Sequence, residues 1–440
     1  DFLKVRGSFG LLGRDNIKPW QWLQTYSLNQ DKGPIFGTTN TTATGSHIGI
    51  PDAAANRQAH WDKSYKSNFG IDLTTFKSRL SANIDAYYEW NRDVFMTRQG
   101  SAGYPSTVGT QASAENYGSI DAYGIEISLG WKDNITKDLK YFVRLNTGYS
   151  DNKILVAPWP STIPFDDNHP GQRSDVGSWG YECIGMFRSY QDIEEFFAKY
   201  NLVSYMGKPK SDVRPGMLIY NDIRGSQKAD GSYYGVNDPN DTGSSARKID
   251  DNDRILISNR NNPWGVTVNM GGEWKGLSLS TQIGANWGGY TYVPSDARST
   301  SSLVSTSSSY RVLEYTNLPS FWANNMFNYQ DILDASGNIV AEKNTTAKYP
   351  NLRYSLNNVQ STFWRVSATS ISIKSLTLAY SLPKAWVKKA TIESCRFNAT
   401  VQNVLSLYNP YPDSFMDPMS GTYGRYPTLR RITLGVNDTF

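Results

Sequence analysis

Apolar and polar residues alternate with a period of two along most of this chain. From Leu80 to Trp90 every even position is apolar (Leu80, Ala82, Ile84, Ala86, Tyr88, Trp90), and Ser81, Asn83, Asp85 and Glu89 stand between them. The same rhythm returns at Tyr123–Trp131, Tyr141–Tyr149, Trp264–Met270, Leu277–Trp287, Leu376–Tyr380, Phe397–Val401 and Ile432–Phe440. Successive side chains of a strand point to opposite faces, so each segment predicts a strand with one apolar and one polar face. Alternation alone also fits a soluble sandwich. Two features favour a membrane barrel. The polar series is rich in Asn, Gln, Ser and charges, as a wet lumen requires, and most apolar series begin or end in Trp or Tyr, where a membrane interface would sit. Segments of about ten residues, tilted by about 45°, cross an outer-membrane apolar band of about 25 Å.

The spacing between segments gives a second, independent sign. Short links at Phe76–Ser78, Asp133–Asp138, Lys275–Gly276 and Pro383–Glu393 alternate with long ones at 11–60, 97–118, 151–262, 288–362 and 409–429. Tight periplasmic turns and long outer loops are the rule in such barrels. The segments add up to about ten spanning strands. Leu80, Ile84, Ile125, Leu129, Val143 and Leu279 should face lipid, with Glu126, Arg144 and Gln282 facing inward. The two longest loops should lie on one side. Asp438 interrupts the outward series between Val436 and Phe440. Its place near the end puts it at an interface, where a charge costs roughly 0–1 kcal/mol.

Composition narrows the alternatives. The 440 residues are 39% hydrophobic and 13% aromatic, with 28 Tyr and 13 Trp, which suits strands and aromatic girdles better than long helices. Mean hydropathy is −0.52. No run of 18 apolar residues exists, so a transmembrane helix is excluded. The net charge of +4 is interspersed, and its densest clusters are pairs such as Lys388–Lys389 and Arg430–Arg431. That leaves no electrostatic footprint for nucleic acid. Two cysteines, Cys183 and Cys395, imply no disulfide framework, and His47, His60 and His169 are too scattered for a His-based metal site. The chain opens at Asp1-Phe2-Leu3-Lys4-Val5, already inside an alternating segment, which reads as the interior of a longer sequence.

Several stretches resemble the SusC/RagA type of TonB-dependent transporters. His60-Trp61-Asp62-Lys63-Ser64 followed by Asn68–Leu73 is similar to a "WEKS…N-G-D" strand, and Arg79–Tyr88 to the strand that follows it. Asn116-Tyr117-Gly118 leading to Tyr123-Gly124-Ile125-Glu126 resembles an "N-G…G-E" segment. Ile371–Pro383 (ISIKSLTLAYSLP) looks like "LRLKNLTLGYTLP", Arg396–Leu405 like an "R…NL" strand, and Tyr426-Pro427 before Arg430–Phe440 like a "YP…R…G-N-F" ending. The matches run in order over most of the chain. The resemblance implies an all-β transmembrane antiparallel barrel of 22 strands, of which residues 1–440 supply about ten as its C-terminal part. A plug and TonB box would lie upstream. It further implies a cell outer-membrane location, a SusD-like lipoprotein lid, energy from TonB–ExbB–ExbD, and uptake of oligosaccharides or peptides. The family's Gly/Asp-rich acidic loop is interrupted here by a long insert between Asp222 and Asp250-Asp251-Asn252-Asp253.

Candidate chemistry is sparse. Asp250, Asp251 and Asp253 offer hard oxygen ligands for Ca²⁺, but no Gly stands at the sharp-turn position and a solvated turn is the plainer reading. Glu194–Glu195 lie in a short helical stretch, where adjacent side chains diverge, so a glycosidase-like carboxylate pair is disfavoured. Trp159, Trp179 and Trp322 are loop candidates for stacking on sugar rings, with loop packing or lid contact as the commoner fate. Ser299–Ser309 reads as a low-complexity loop. No Walker A, dinucleotide, HExxH or CxxC pattern is present, so no enzyme, metal or cofactor is expected. The leading expectation is a TonB-dependent importer. The alternative is a barrel of the same shape serving as scaffold or receptor in an envelope complex, and an upstream plug and TonB box would separate the two.

Overall fold

A computed structural model describes residues 1–15, 17, 19–29, 48–51, 53–97, 109–157, 170–174, 179–258, 262–298, 325–333, 336–352, 354–388, 392–419 and 426–439. Ten long strands form one antiparallel sheet: β1 (Phe2–Arg14), β2 (Asp62–Thr75), β3 (Leu80–Thr97), β4 (Ala114–Asn134), β5 (Leu139–Val156), β6 (Trp264–Trp274), β7 (Leu277–Trp287), β8 (Ser370–Ser381), β9 (Ser394–Ser406) and β10 (Arg431–Thr439). Each pairs with its neighbours in chain order, from β1 to β10, as an up-and-down meander. Among the described residues no helix is long and apolar enough to cross a membrane.

Register sorts the side chains into two faces. Val5, Ile71, Ile84, Ile127, Thr147, Val266 and Ala285 lie in one row across seven strands, on the apolar face. One residue along, Arg6, Gly70, Asp85, Glu126, Gly148, Gly265 and Asn286 make the matching row of the polar face. Large apolar residues on the first face are exposed, among them Val5, Phe69, Ile84, Ile125, Leu129, Val143, Leu279 and Leu434. A soluble protein does not leave so large an apolar surface to water, and among the described residues no second layer covers it. Cavities of about 900 and 360 Å³ open on the polar face, which is therefore concave. Glu126, Arg144 and Gln282 fall in the rows of that face, as the alternation predicts.

Aromatic residues mark the edges of the apolar band. Trp264 and Trp274 stand at opposite ends of β6, ten residues apart. The outer aromatic row passes from Trp90 on β3 through Tyr88 and Tyr123 to Tyr149, Trp264 and Trp287. It thus drops by four residues between β3 and β6. That drop is about 14 Å of strand over three inter-strand steps totalling about 14 Å, a tilt of about 45°. At that tilt ten residues span about 24 Å, close to the apolar band of an outer membrane.

The turns obey the expected asymmetry. β6 and β7 are joined by two residues, Lys275 (φ 50°) and Gly276 (φ 85°). Positive φ at both is the two-residue turn whose twist matches paired strands. Phe76, Lys77 and Ser78 close β2–β3 with three left-handed residues. All four short connections lie at one end of the sheet and all five long ones at the other.

The expected loop bounds need correction. β1 runs to Arg14, β4 begins at Ala114, β5 continues to Val156, and β8 begins only at Ser370. β4 is 21 residues long, twice the length the apolar band requires. Pairing persists past the membrane because backbone groups bond each other as well in water as in lipid, so the ladder need not stop where alternation does. In these extensions outward positions carry charge: Asp121 accepts from Tyr88 Oη and Arg92. Asp438 sits opposite Cys395, whose thiol donates to it, just beyond the Phe397–Val436 row. Phe440 lies outside the described residues.

Phase along β4 is testable with two adjacent residues. Ile127 faces outward in mid-band, whereas Ser128 bonds Asn146 on the concave face. A lipid-facing Arg costs about 2–4 kcal/mol at mid-depth. Ile127→Arg should sharply lower the yield of heat-modifiable barrel, and Ser128→Arg should assemble nearly as wild type. Equal yields of the two variants would refute the facing.

Candidate functional site: the concave wall and the outer loop module

The concave wall is lined by charge that lies in register. Arg6 on β1 donates Nε and Nη2 to Asp72 on β2 (2.8 and 2.9 Å) and Nη2 to Asp85 on β3 (2.9 Å). Asn83 adds a 2.7 Å bond to Asp72, and Lys66 pairs with Glu89 at 2.8 Å. Glycines let these groups lie close to the sheet. A Cβ at Gly70 would fall within 2.8 Å of Asp85 Oδ1 and the Arg6 guanidinium, and one at Gly284 would fall 2.4 Å from the Lys374 chain. Lys374 is the extra residue of a bulge, between Ile373 and Ser375, that turns its side chain onto the concave face. Toward the short-turn end the 900 Å³ concavity is lined by Lys132, Lys140, Arg144 and Arg396, with Glu273 and Asp133. The wall thus carries charged and polar groups from β1 to β9, with aromatic residues such as Phe142 among them.

At the long-loop end stands a second structure with a core of its own. Residues from three connections, those after β5, β7 and β9, share it: Phe187, Tyr205, Leu218, Tyr220, Ile249, Val293, Trp364 and Met416 are all buried. The two longest loops thus lie on one side, as expected. One helix, α1 (Tyr190–Lys199), is started by Ser189, whose hydroxyl accepts from Asp192 N while the Asp192 carboxylate accepts from Ser189 N. Such reciprocal capping satisfies donors that the first turn leaves orphaned. Ile193, Phe196 and Phe197 turn one face of α1 into the core. Glu194 pairs with Lys210 and Glu195 accepts from Gln191, so the two carboxylates point to different partners in water.

Two buried polar side chains join the loops. Asn357 accepts from Leu218 N (2.8 Å) and donates to Gly216 O (2.8 Å) and Asn351 O (2.7 Å), while its carbonyl accepts from Trp364 Nε1 (2.7 Å). Arg298 is buried and gives its guanidinium protons to Val293 O, Asn358 O and Gln360 Oε1, with its plane over the Trp364 ring. Burial without a carboxylate partner pulls it down to about 10.

The acidic run Asp250–Asp253 folds as a single turn of 3₁₀-helix. Asp253 is fully buried and accepts from Ile223 N (2.8 Å), Arg224 N (3.1 Å) and Asp250 N (2.8 Å). Asp250 caps Asn252 N, and Asp251 accepts from Tyr181 Oη at 2.8 Å. These oxygens are thus engaged with protein donors, and among the described residues no three His, Cys, Asp or Glu side chains are arranged to hold a metal ion. Trp179 is half-buried in a short strand with Gly180, paired to Ile255–Leu256. Trp159 and Trp322, like Ser299–Ser309, lie outside the described residues.

Asp222 is the titratable group that the sequence did not single out as a candidate. It is buried, and burial together with the carboxylates of Asp253 and Asp250 pushes it up to about 7. Nothing local in Asn221-Asp222-Ile223 signals this, because the neighbouring carboxylates come from a turn about 30 residues away.

No family model matches the chain. It is 21% identical to TonB-dependent receptor P3 of Formosa agariphila over 99% of its length and 39% of that protein. To TonB-dependent receptor SusC of Bacteroides thetaiotaomicron it is 29% identical over 34% of the chain and 14% of that protein. Among solved structures the RagAB peptide transporter superposes with a TM-score of 0.62, at 19% identity, over 99% of the chain and 40% of that structure. The chain thus spans about two fifths of the length of the long relatives it matches.

The folded-state carboxyl of Asp222 lies above the ordinary unfolded value near 4, so the fold disfavours its ionised form. The penalty is absent below about pH 4, grows through the window up to about 7, and is complete above it, where it is on the order of a few kcal/mol. Asp222→Asn should therefore stabilise the loop module at pH 8, read as slower hydrogen exchange over residues 218–256, and lose that advantage at pH 4. A pH-independent difference would show that Asp222 is not the buried acid.

Along its whole length the chain is thus similar to TonB-dependent receptors, one stretch of it resembles SusC, and its ten-stranded antiparallel meander shares the fold of the RagAB structure.

Proposed function

We propose that this chain forms one wall and much of the outer vestibule of a TonB-dependent importer in the outer membrane. The observation that carries this reading is a concave wall bearing charges in register across the strands, whose long-loop end bears a folded module with its own core. A wall of Arg6, Asp72, Asp85, Glu89 and Glu126 can solvate a polar cargo in transit. The module, with a buried core of its own, would serve as a docking platform for a SusD-like surface lipoprotein. The cargo would be an oligosaccharide or a peptide, and the likeness to the RagAB peptide transporter supports a solute of that size. Energy would come from TonB–ExbB–ExbD acting through parts of the protein beyond this chain.

Asn357→Leu tests the platform. It orphans Leu218 N and two carbonyls in the core, at about 1–3 kcal/mol for each buried group. In the full-length protein, heat-modifiable barrel should persist, hydrogen exchange across the module should rise, and the co-purifying lipoprotein should be lost. Unchanged co-purification from a loosened module would exclude the module as its docking site. Mass spectrometry of material extracted from the wild-type complex should find oligosaccharide or peptide, and finding neither would overturn the cargo class.

A further inference from the structure

The outward series of β1 runs through Leu3, Val5, Phe9 and Leu11, all exposed, and ends at Gly13. A Cβ at Gly13 would fall 2.6 Å from Trp61 Cε3, so the Trp61 indole lies over the outward face of the sheet at the top of β1. The aromatic boundary of the apolar band climbs toward this corner, from Trp264 and Trp287 through Tyr123 to Trp90. Beyond Gly13 the chain enters a segment that carries this boundary further. Residues 20–29 (WQWLQTYSLN) contain no Asp, Glu, Lys or Arg. Trp20, Trp22, Tyr26 and Leu28 are 56 to 74% exposed, and none of them joins the core of the loop module.

The segment is built rather than loose. Trp20 takes a left-handed conformation (φ 68°), which costs a bulky residue roughly 1–2 kcal/mol. Leu23 N bonds Trp20 O, and the Trp20 and Trp22 rings lie 6.2 Å apart. Tyr26–Asn29 pairs with Ile48–Pro51, and Asn56 N donates to Gln21 O, tying the turn to the stretch that leads into Trp61. A turn that holds two exposed indoles against a backbone cost, at the head of a ten-residue run without charge, suits the boundary between hydrocarbon and headgroups. There an indole buries its ring and keeps its N–H wet.

We infer that Trp20, Trp22, Tyr26 and Leu28 form an interfacial anchor that seats the first outer loop in the outer lipid leaflet, above the top of β1. This rests on the sheet lying in a membrane and is independent of what the protein carries. The full-length receptor, reconstituted in phospholipid nanodiscs, tests it. Leu28→Cys carries an NBD label, Leu129→Cys serves as the lipid-facing control, and the receptor without an introduced cysteine, labelled in the same way, supplies the blank. Lipids with a nitroxide near the headgroup should quench the Leu28 label as strongly as a mid-chain nitroxide quenches the control, and aqueous iodide should leave it largely unquenched. Iodide quenching without lipid quenching would overturn the anchor, as would protection from both quenchers, the signature of a protein partner. If the Leu129 control also escapes lipid quenching, the membrane placement of the sheet falls with the anchor.

Discussion

Hydrocarbon offers no hydrogen-bond partner, so each backbone N–H and C=O within the apolar band must be paired inside the protein. The meander meets that demand strand by strand: β6 pairs along all eleven of its residues with β5 on one side and β7 on the other. Unbroken pairing fixes the register, and register fixes facing, because a slip of one residue would carry every Leu and Ile to the wet side and every Arg and Asp to lipid. The Arg6–Asp72–Asp85 bridge across three strands, the rows of outward aliphatics and the two aromatic boundaries all follow from that constraint.

Above the membrane the balance of forces changes. The loop module has what the sheet lacks, an interior closed from water, in which Tyr205 and Tyr220 stack 6.2 Å apart and Trp364 is almost wholly buried. Apart from α1, its segments are short strands and single turns that bury little surface alone, so they hold one another through contacts far apart in sequence. Asn357 is the clearest case, linking the loop after β7 to the loop after β5 across 139 positions. The two parts therefore answer to different solvents, the wall to lipid and lumen water, the module to its own core. Loosening one need not unfold the other.

Electrostatics follows the same division. Several charges on the wall, such as Arg6 with Asp72 and Asp85 or Lys66 with Glu89, are cross-strand pairs half in water, whose worth to stability is modest. A few charges in the module lie deeper. Arg298 is satisfied by carbonyl oxygens and an aromatic face, and Asp253 by three backbone N–H groups. Asp222, buried beside the carboxylates of Asp253 and Asp250, is pushed up to about 7.

By itself the sequence determined the wall: ten alternating segments, the side each residue faces, and the short and long connections that put all large loops at one end. These were legible because one face meets lipid, which leaves its mark on every second residue, and because turns such as Lys275–Gly276 carry local chemistry. Strand ends were less legible, since pairing outlasts the membrane and nothing in the pattern records where it stops. Only the tertiary structure decided the loop module, the engagement of Asp250, Asp251 and Asp253 with protein donors, and the buried proton of Asp222. The reason is that burial and hydrogen-bond partners there come from segments 30 to 140 residues away, and no local spacing encodes which distant group a side chain will meet.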